Sequence, residues 1–113
     1  MDDHCLFCRI IKGDIPSQKV YEDECCFAFR DIHPQAPVHV LIVSKAHVSD
    51  LTAAAALPDA ALAGLLRAVK TVTDIEHLTS YRVVSNCGAD ACQSVPHLHL
   101  HVLGGRSMSD NMA

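Results

Sequence analysis

The segment His97-Leu98-His99-Leu100-His101-Val102-Leu103 alternates three histidines with aliphatic residues. Successive side chains of a β-strand point to opposite faces, so residues two apart share a face. The spacing predicts a strand over His97–Leu103. His97, His99 and His101 then lie on one side, and Leu98, Leu100 and Val102 point into a core. Histidine is the side chain that most readily supplies a nucleophile, a proton or a metal ligand near neutral pH. Three imidazoles on one face are costly to bury unless each has a partner. The pattern therefore marks a functional site. Gly104-Gly105 ends the strand, and Pro96 suits its first position.

The rest of the chain supplies a frame for that strand. Cys5 to Lys12 reads as one or two helical turns stopped by Gly13. Short strands are expected at Lys19–Tyr21 and Cys25–Arg30, the latter with Phe27 and Phe29 on one face. Asp31 to Pro37 is a loop containing two prolines. Val38–Val43 is a continuous apolar, β-branched run, hence a buried strand. Leu62, Leu65, Leu66, Val69, Val72 and Ile75 recur at helical spacing, which predicts a long helix over Asp59–His77 with a core or subunit-interface stripe. A further strand is expected at Tyr81–Asn86, then a loop over Cys87–Ser94. Five strands and one long helix suggest an antiparallel α+β domain. With 113 residues, half of them apolar, residues 1–113 read as a single domain. Its ordered core is expected at about 5–106, and its polar tail, 107–113, is expected to fray.

Charge and cysteine usage exclude several classes. The net charge is −4 with no basic run, which disfavours extended nucleic-acid binding, since that needs clustered Lys and Arg. The acidic start Met1-Asp2-Asp3 is followed by no apolar signal region. The apolar stretch Leu51–Leu66 is broken by Thr52, Pro58 and Asp59, so no membrane span is expected. A cytoplasmic location is therefore expected, in which the six cysteines are free thiols or metal ligands.

Cys5-Leu6-Phe7-Cys8 places two thiols where they can share a metal ion, form a redox pair, or simply bury as small apolar groups. A tetrahedral zinc site needs two more ligands, which His47 and one strand histidine can supply. Asn86 and Ser94 flank the loop before the histidine strand and can donate to a phosphate or ribose, or merely form turns. His39 opens an apolar strand, either at an exposed end or within the same site. Asp31 can accept from ribose hydroxyls or cap its turn. Three ligands at alternate strand positions do not converge on one ion, which disfavours the histidine run itself as a zinc site.

Several ordered segments together resemble the histidine triad (HIT) superfamily, and most closely its small nucleotide-binding branch. They are Phe29–Ile32, Gln35–Val43 and Gln93–Arg106, and the likeness runs from about Cys5 to Arg106. The resemblance implies a five-stranded antiparallel sheet with one long and one short helix, paired into a homodimer with a continuous ten-stranded sheet. It implies hydrolysis of purine nucleoside 5′-phosphoramidates, conjugates of AMP or GMP. His99 would attack the α-phosphorus, the amine would leave, and water would release the nucleoside monophosphate from a nucleotidyl-histidine. His39, His101, Ser94 and Asn86 would surround the phosphate. His97 would orient His99 through its backbone carbonyl. Phe7, Ile10, Phe29 and Ile32 would enclose the base and Asp31 would bind the ribose. Cys5, Cys8, His47 and His97 would hold a structural zinc, with no catalytic metal.

This chain departs from that branch in two places. Ala91-Cys92 stands where glycines are usual, and the tail after Arg106 lacks the aromatic and proline-containing ending of close eukaryotic relatives. Other readings remain at this point. They are a dinucleoside polyphosphate hydrolase or nucleotide phosphorylase of the same superfamily, and a non-catalytic nucleotide-binding module.

Overall fold

The computed structural model describes residues 4–113. The acidic start Met1-Asp2-Asp3 lies outside them. Helix α1 spans Leu6–Lys12. Strands β1, Lys19–Glu22, and β2, Cys26–Arg30, form a hairpin. Strand β3 spans Val38–Ser44, helix α2 Asp59–Ile75, β4 Tyr81–Val84 and β5 His99–Gly104. A single 3₁₀ turn over Ala53–Ala56 precedes α2, and another over Ala89–Ala91 lies between β4 and β5. The strands make one five-stranded sheet in the order β1-β2-β3-β5-β4, with every pairing antiparallel.

The sheet separates two layers of apolar side chains. On one face Cys26, Ala28, Val40, Ile42, Leu100 and Val102 pack against Leu65, Ala68, Val69 and Val72 of α2. On the other, Phe27, Phe29, Leu41 and Val43 pack against Cys5, Phe7, Cys8 and Ile10 of α1 and its cap. This explains the unbroken apolar run of β3: a strand covered on both faces has no polar side. It also sets the histidines, because alternation along β5 puts His99 and His101 on the α1 face. Helix α2 lies close to the sheet. A β-carbon at Gly64 would stand 2.5 Å from Cys25 Sγ. Gly13 ends α1 in the left-handed conformation, at φ +88°.

Two expectations need correction, and the α2 stripe divides between core and exposed positions. The last strand begins at His99, not His97. The His97 N–H turns back to the Val95 carbonyl, and the Leu98 N–H donates to Val48. The first bond turns His97 out of the β3–β5 ladder, while the Leu98 carbonyl still accepts from the Ser44 N–H of β3 at 3.2 Å. In α2, Leu65, Val69 and Val72 are buried, but Leu66 is 70% exposed and Ile75 42%. Leu66 follows Leu65 by one residue, about 100° around the helix, so both cannot face the same sheet. Finally, the tail does not simply fray. The Arg82 guanidinium donates to the carbonyls of Ser109 (2.8 Å) and Asn111 (3.3 Å). Among the described residues, no helix is long and apolar enough to cross a membrane.

Candidate active site and metal centre

The α1 face of the sheet carries two adjoining groups of histidines. The first contains His99, His101 and His39. His99 is buried, and its Nδ1–H donates to the His97 carbonyl oxygen at 2.6 Å. A carbonyl only accepts, so the bond fixes the proton on Nδ1 and leaves a lone pair on Nε2. Phe7 meets the His99 ring edge-on, with centroids 5.0 Å apart.

The neighbouring imidazole is held the opposite way. The backbone N–H of Gln35 donates to His39 Nδ1 at 3.0 Å. A backbone amide only donates, so neutral His39 carries its proton on Nε2. That nitrogen lies 2.9 Å from His101 Nδ1, which must accept. Neutral His101 therefore presents Nε2–H. Burial pushes the pKa of His101 down to about 4, and the neighbouring His99 and His39 add to the effect. Burial lowers His39 as well, against the opposing pull of Asp31. Two histidines on one strand face are thus prepared for different work, His99 with a lone pair and His101 with a proton.

This neutrality has a stability consequence. Between the ordinary histidine value of 6.5 and about 4, the unfolded chain binds a proton at His101 that the folded chain does not. Stability therefore falls as pH drops through that window. Urea unfolding at pH 7, 6 and 5 should show this slope, and His101→Gln should flatten it. An unchanged slope in the variant would mean that burial does not keep His101 neutral.

A pocket of about 300 Å³ opens beside these rings. Phe7, Ile10, Phe29 and Ile32 line it, with Asp31, Ser94, His99 and His101 at its polar side. Ile32 is 85% exposed, an apolar side chain at the rim with nothing of this chain over it. Asp31 uses Oδ1 to accept from the His33 N–H at 2.7 Å. Its Oδ2 lies 3.4 Å from His39 Nε2. Asn86 is not brought to the pocket. Its amide nitrogen donates to the Ala91 carbonyl at 2.7 Å and ties its own loop shut.

Sequence reasoning missed four contributors. Leu6 and Leu41 complete the apolar lining; Leu41 reads as ordinary core because β3 is apolar throughout. Gln93 braces the loop before β5, accepting from the Gly88 N–H and donating to the carbonyls of Ser49 and Val95. The Gln35 amide carries no side-chain signal at all.

The same loop contains a strained residue. Cys92, standing where relatives of the resembled branch carry glycine, has φ +62° and ψ +38°. A β-carbon in that region costs about 1–2 kcal/mol. Cys92→Gly should raise stability by about 0.5–1 kcal/mol after the added freedom of the unfolded chain is counted. A higher urea midpoint would show it; a lower one would mean that the thiol makes compensating contacts.

The second group is Cys5, Cys8, His47 and His97, whose donor atoms all lie within 4.8 Å of one another. Cys5 and Cys8 come from the start of α1, His47 from the segment after β3, and His97 from the turn before β5. His97 is fully buried. Burial lowers its pKa, and nearby His47 and His99 act in the same direction. Its Nε2–H donates to the Ser44 carbonyl at 2.6 Å, so Nδ1 bears the lone pair. That lone pair meets Cys5 Sγ at 3.2 Å, Cys8 Sγ at 3.6 Å and His47 Nδ1 at 3.1 Å. Cys8 Sγ and His47 Nδ1 are 3.2 Å apart. Tetrahedral zinc with ordinary Zn–N and Zn–S bonds would set its ligand atoms about 3.3–3.8 Å from one another. The donor set and its spacing fit such an ion. The Asp31–His39–His101 group is also compact, but the Gln35 amide commits the inward His39 nitrogen to donating, so it works as a hydrogen-bond chain.

Comparison with known proteins agrees with this arrangement. A 14 kDa zinc-binding protein of Zea mays is 48% identical over 111 residues, covering 96% of this chain and 87% of the relative. The structure of a HIT family hydrolase from Clostridium thermocellum superposes with a TM-score of 0.91 at 37% identity, with full coverage of both chains. A histidine triad nucleotide-binding protein from Candida albicans gives 0.78 at 34% identity, covering 96% of this chain and 86% of that one. Residues 12–108 match the family model of the HIT domain, and the chain belongs to the HIT, or histidine triad, family.

Proposed function

We propose that this protein is a hydrolase that cleaves the P–N bond of purine nucleoside 5′-phosphoramidates. The observation that carries the reading is the pair of opposed tautomers on β5 beside an apolar pocket. In the first step His99 Nε2 attacks the α-phosphorus, the N–P bond to the enzyme forms, and the P–N bond to the amine breaks. The leaving amine takes its proton from solvent water, and His101 Nε2–H donates a hydrogen bond to the phosphoryl oxygens as charge builds on them. Water then displaces His99 from phosphorus and releases the nucleoside monophosphate. Ser94 at the pocket mouth adds a hydroxyl donor for the charged phosphoryl oxygens. Phe7, Ile10, Phe29 and Ile32 take the purine, and Asp31 takes the ribose hydroxyls. An apolar slot of this kind separates adenine from guanine weakly, so conjugates of AMP and GMP are both substrates. The nucleotide-binding relative and the hydrolase relative support this assignment.

Cys5, Cys8, His47 and His97 hold zinc in this reading. A closed four-ligand site supplies structural stiffness and no open position for substrate. The chain works as a homodimer in which the edge strand β4 pairs with its copy. Tyr81 and Val83 of β4 and Leu66 of α2 are exposed apolar residues that such pairing would cover.

The deciding experiment mixes the protein with an adenosine 5′-phosphoramidate of a fluorescent amine, and separately with a diadenosine polyphosphate. Preferred release of the amine, with a nucleotidyl adduct in the intact-protein mass, is the expected result. Faster turnover of the polyphosphate would assign the protein to the dinucleotide hydrolases. Binding of nucleotide without any turnover would make it a binding module.

A further inference from the structure

Helix α1 takes part in both sites at once. Its cap residue Cys5 and its first-turn Cys8 face the four-donor cluster. Leu6, Phe7 and Ile10, interleaved with them, line the pocket. Phe7 joins the two directly. Its ring stands edge-on to His97 of the cluster at 5.9 Å and to His99 of the pocket at 5.0 Å.

What holds α1 on the sheet is limited. Among the described residues, no backbone hydrogen bond joins it to a strand. The attachment rests on the buried side chains Cys5, Phe7, Cys8 and Ile10, with Ile11 packed against them. A helix of seven residues has no stability of its own. Two of these anchors are cysteines, small side chains whose hold on the sheet an ion shared with His47 and His97 would strengthen. The loop before β5 adds a second shared wall, because Ser94 and Val95 line both the pocket and the cleft beside Cys5 and His47.

We infer that the Cys5–Cys8–His47–His97 cluster is a positioning device for the nucleotide pocket: metal occupancy sets nucleotide affinity, and bound nucleotide tightens the metal. The inference rests on the nucleotide-binding reading given above. Its thermodynamic form is a coupling, which must act equally in both directions. With the ion bound, Phe7 and Ile10 stand fixed as the pocket wall. Without it, nucleotide must order α1 as it binds, which weakens affinity.

His47 offers the cleanest test, since it is an exposed cluster residue outside the pocket. AMP affinity is measured by calorimetry on zinc-loaded protein, on chelator-stripped protein and on His47→Ala. Zinc affinity is measured by chelator competition with and without saturating AMP. The expected result is AMP binding at least about tenfold weaker without zinc, and zinc binding tightened by the same factor with AMP. The competition arm uses loaded wild-type protein, so it reads the coupling even where the stripped protein unfolds.

A double-mutant cycle separates positioning from general loosening. Phe7→Ala and His47→Ala should each weaken AMP binding, and the double variant should be little weaker than the weaker single one, because both act through α1. Additive losses would overturn the inference. Equal AMP affinity with and without zinc, or no uptake of zinc at all, would also overturn it while leaving the nucleotide reading in place. Failure of the loaded wild type to bind AMP would remove the nucleotide reading and the coupling together.

Discussion

His99→Asn is expected to lower kcat/KM for a nucleoside phosphoramidate by at least about 10³-fold while nucleotide affinity changes only a few-fold. Asparagine is chosen because its amide can still donate to the His97 carbonyl, as His99 Nδ1–H does at 2.6 Å. The variant thus keeps the local bond and loses only the lone pair aimed at phosphorus. Its neighbours should be undisturbed, since the Gln35–His39–His101 chain makes no hydrogen bond to the His99 ring. Quenched single-turnover reactions followed by intact-protein mass give the readout. The adduct should vanish in the variant. An adduct that persists would place the nucleophile elsewhere, and a large loss of affinity with kcat intact would make His99 a binding residue.

Cys8→Ala is expected to cost at least about 3 kcal/mol of stability, a fall of about 12 °C or more in Tm. Cys8 is fully buried. Its Sγ faces the Nδ1 atoms of His47 and His97 at 3.2 and 3.6 Å. Removing it leaves three ligands and a small cavity under α1, and takes a thiol partner from both the His47 and His97 imidazoles. Thermal melts with and without a strong chelator provide the check. Wild type in chelator should fall most of the way to the variant, and the variant should no longer respond to chelator. A wild type indifferent to chelator, with an unchanged melting point in Cys8→Ala, would show that no structural metal supports this end of the molecule.

Much of this arrangement is readable in the residue order because it depends on local periodicity. Alternation in Leu100 and Val102 against His99 and His101 fixes two faces of β5, whatever the strand pairs with. The spacing of Leu65, Val69 and Val72 does the same for α2. The helical stop at Gly13 follows from backbone freedom alone. Where the outcome depends on distant partners, periodicity misleads. His97 continues the alternation perfectly, yet its N–H turns back to the Val95 carbonyl and the strand begins at His99. Asn86 has the right chemistry for a phosphate; one of its two amide protons goes to the Ala91 carbonyl, and it stands outside the pocket lining. Leu66 fits an apolar stripe that is simply wider than one sheet can cover. The Gln35 amide is invisible in any reading of side chains, because every residue except proline has one.

That last point reaches beyond this site. The roles of His99 and His101 are written by the main chain, one by a carbonyl and the other by an amide. Side-chain substitution at Gln35 leaves that instruction in place, and so does substitution of the His97 ring as far as its own carbonyl is concerned. Chain length is another matter. One residue inserted between Gln35 and His39 would carry the amide away from its imidazole, even with every named side chain retained. For this pair of histidines the invariant is the count of residues between landmarks, so a single insertion is a graver lesion than most replacements.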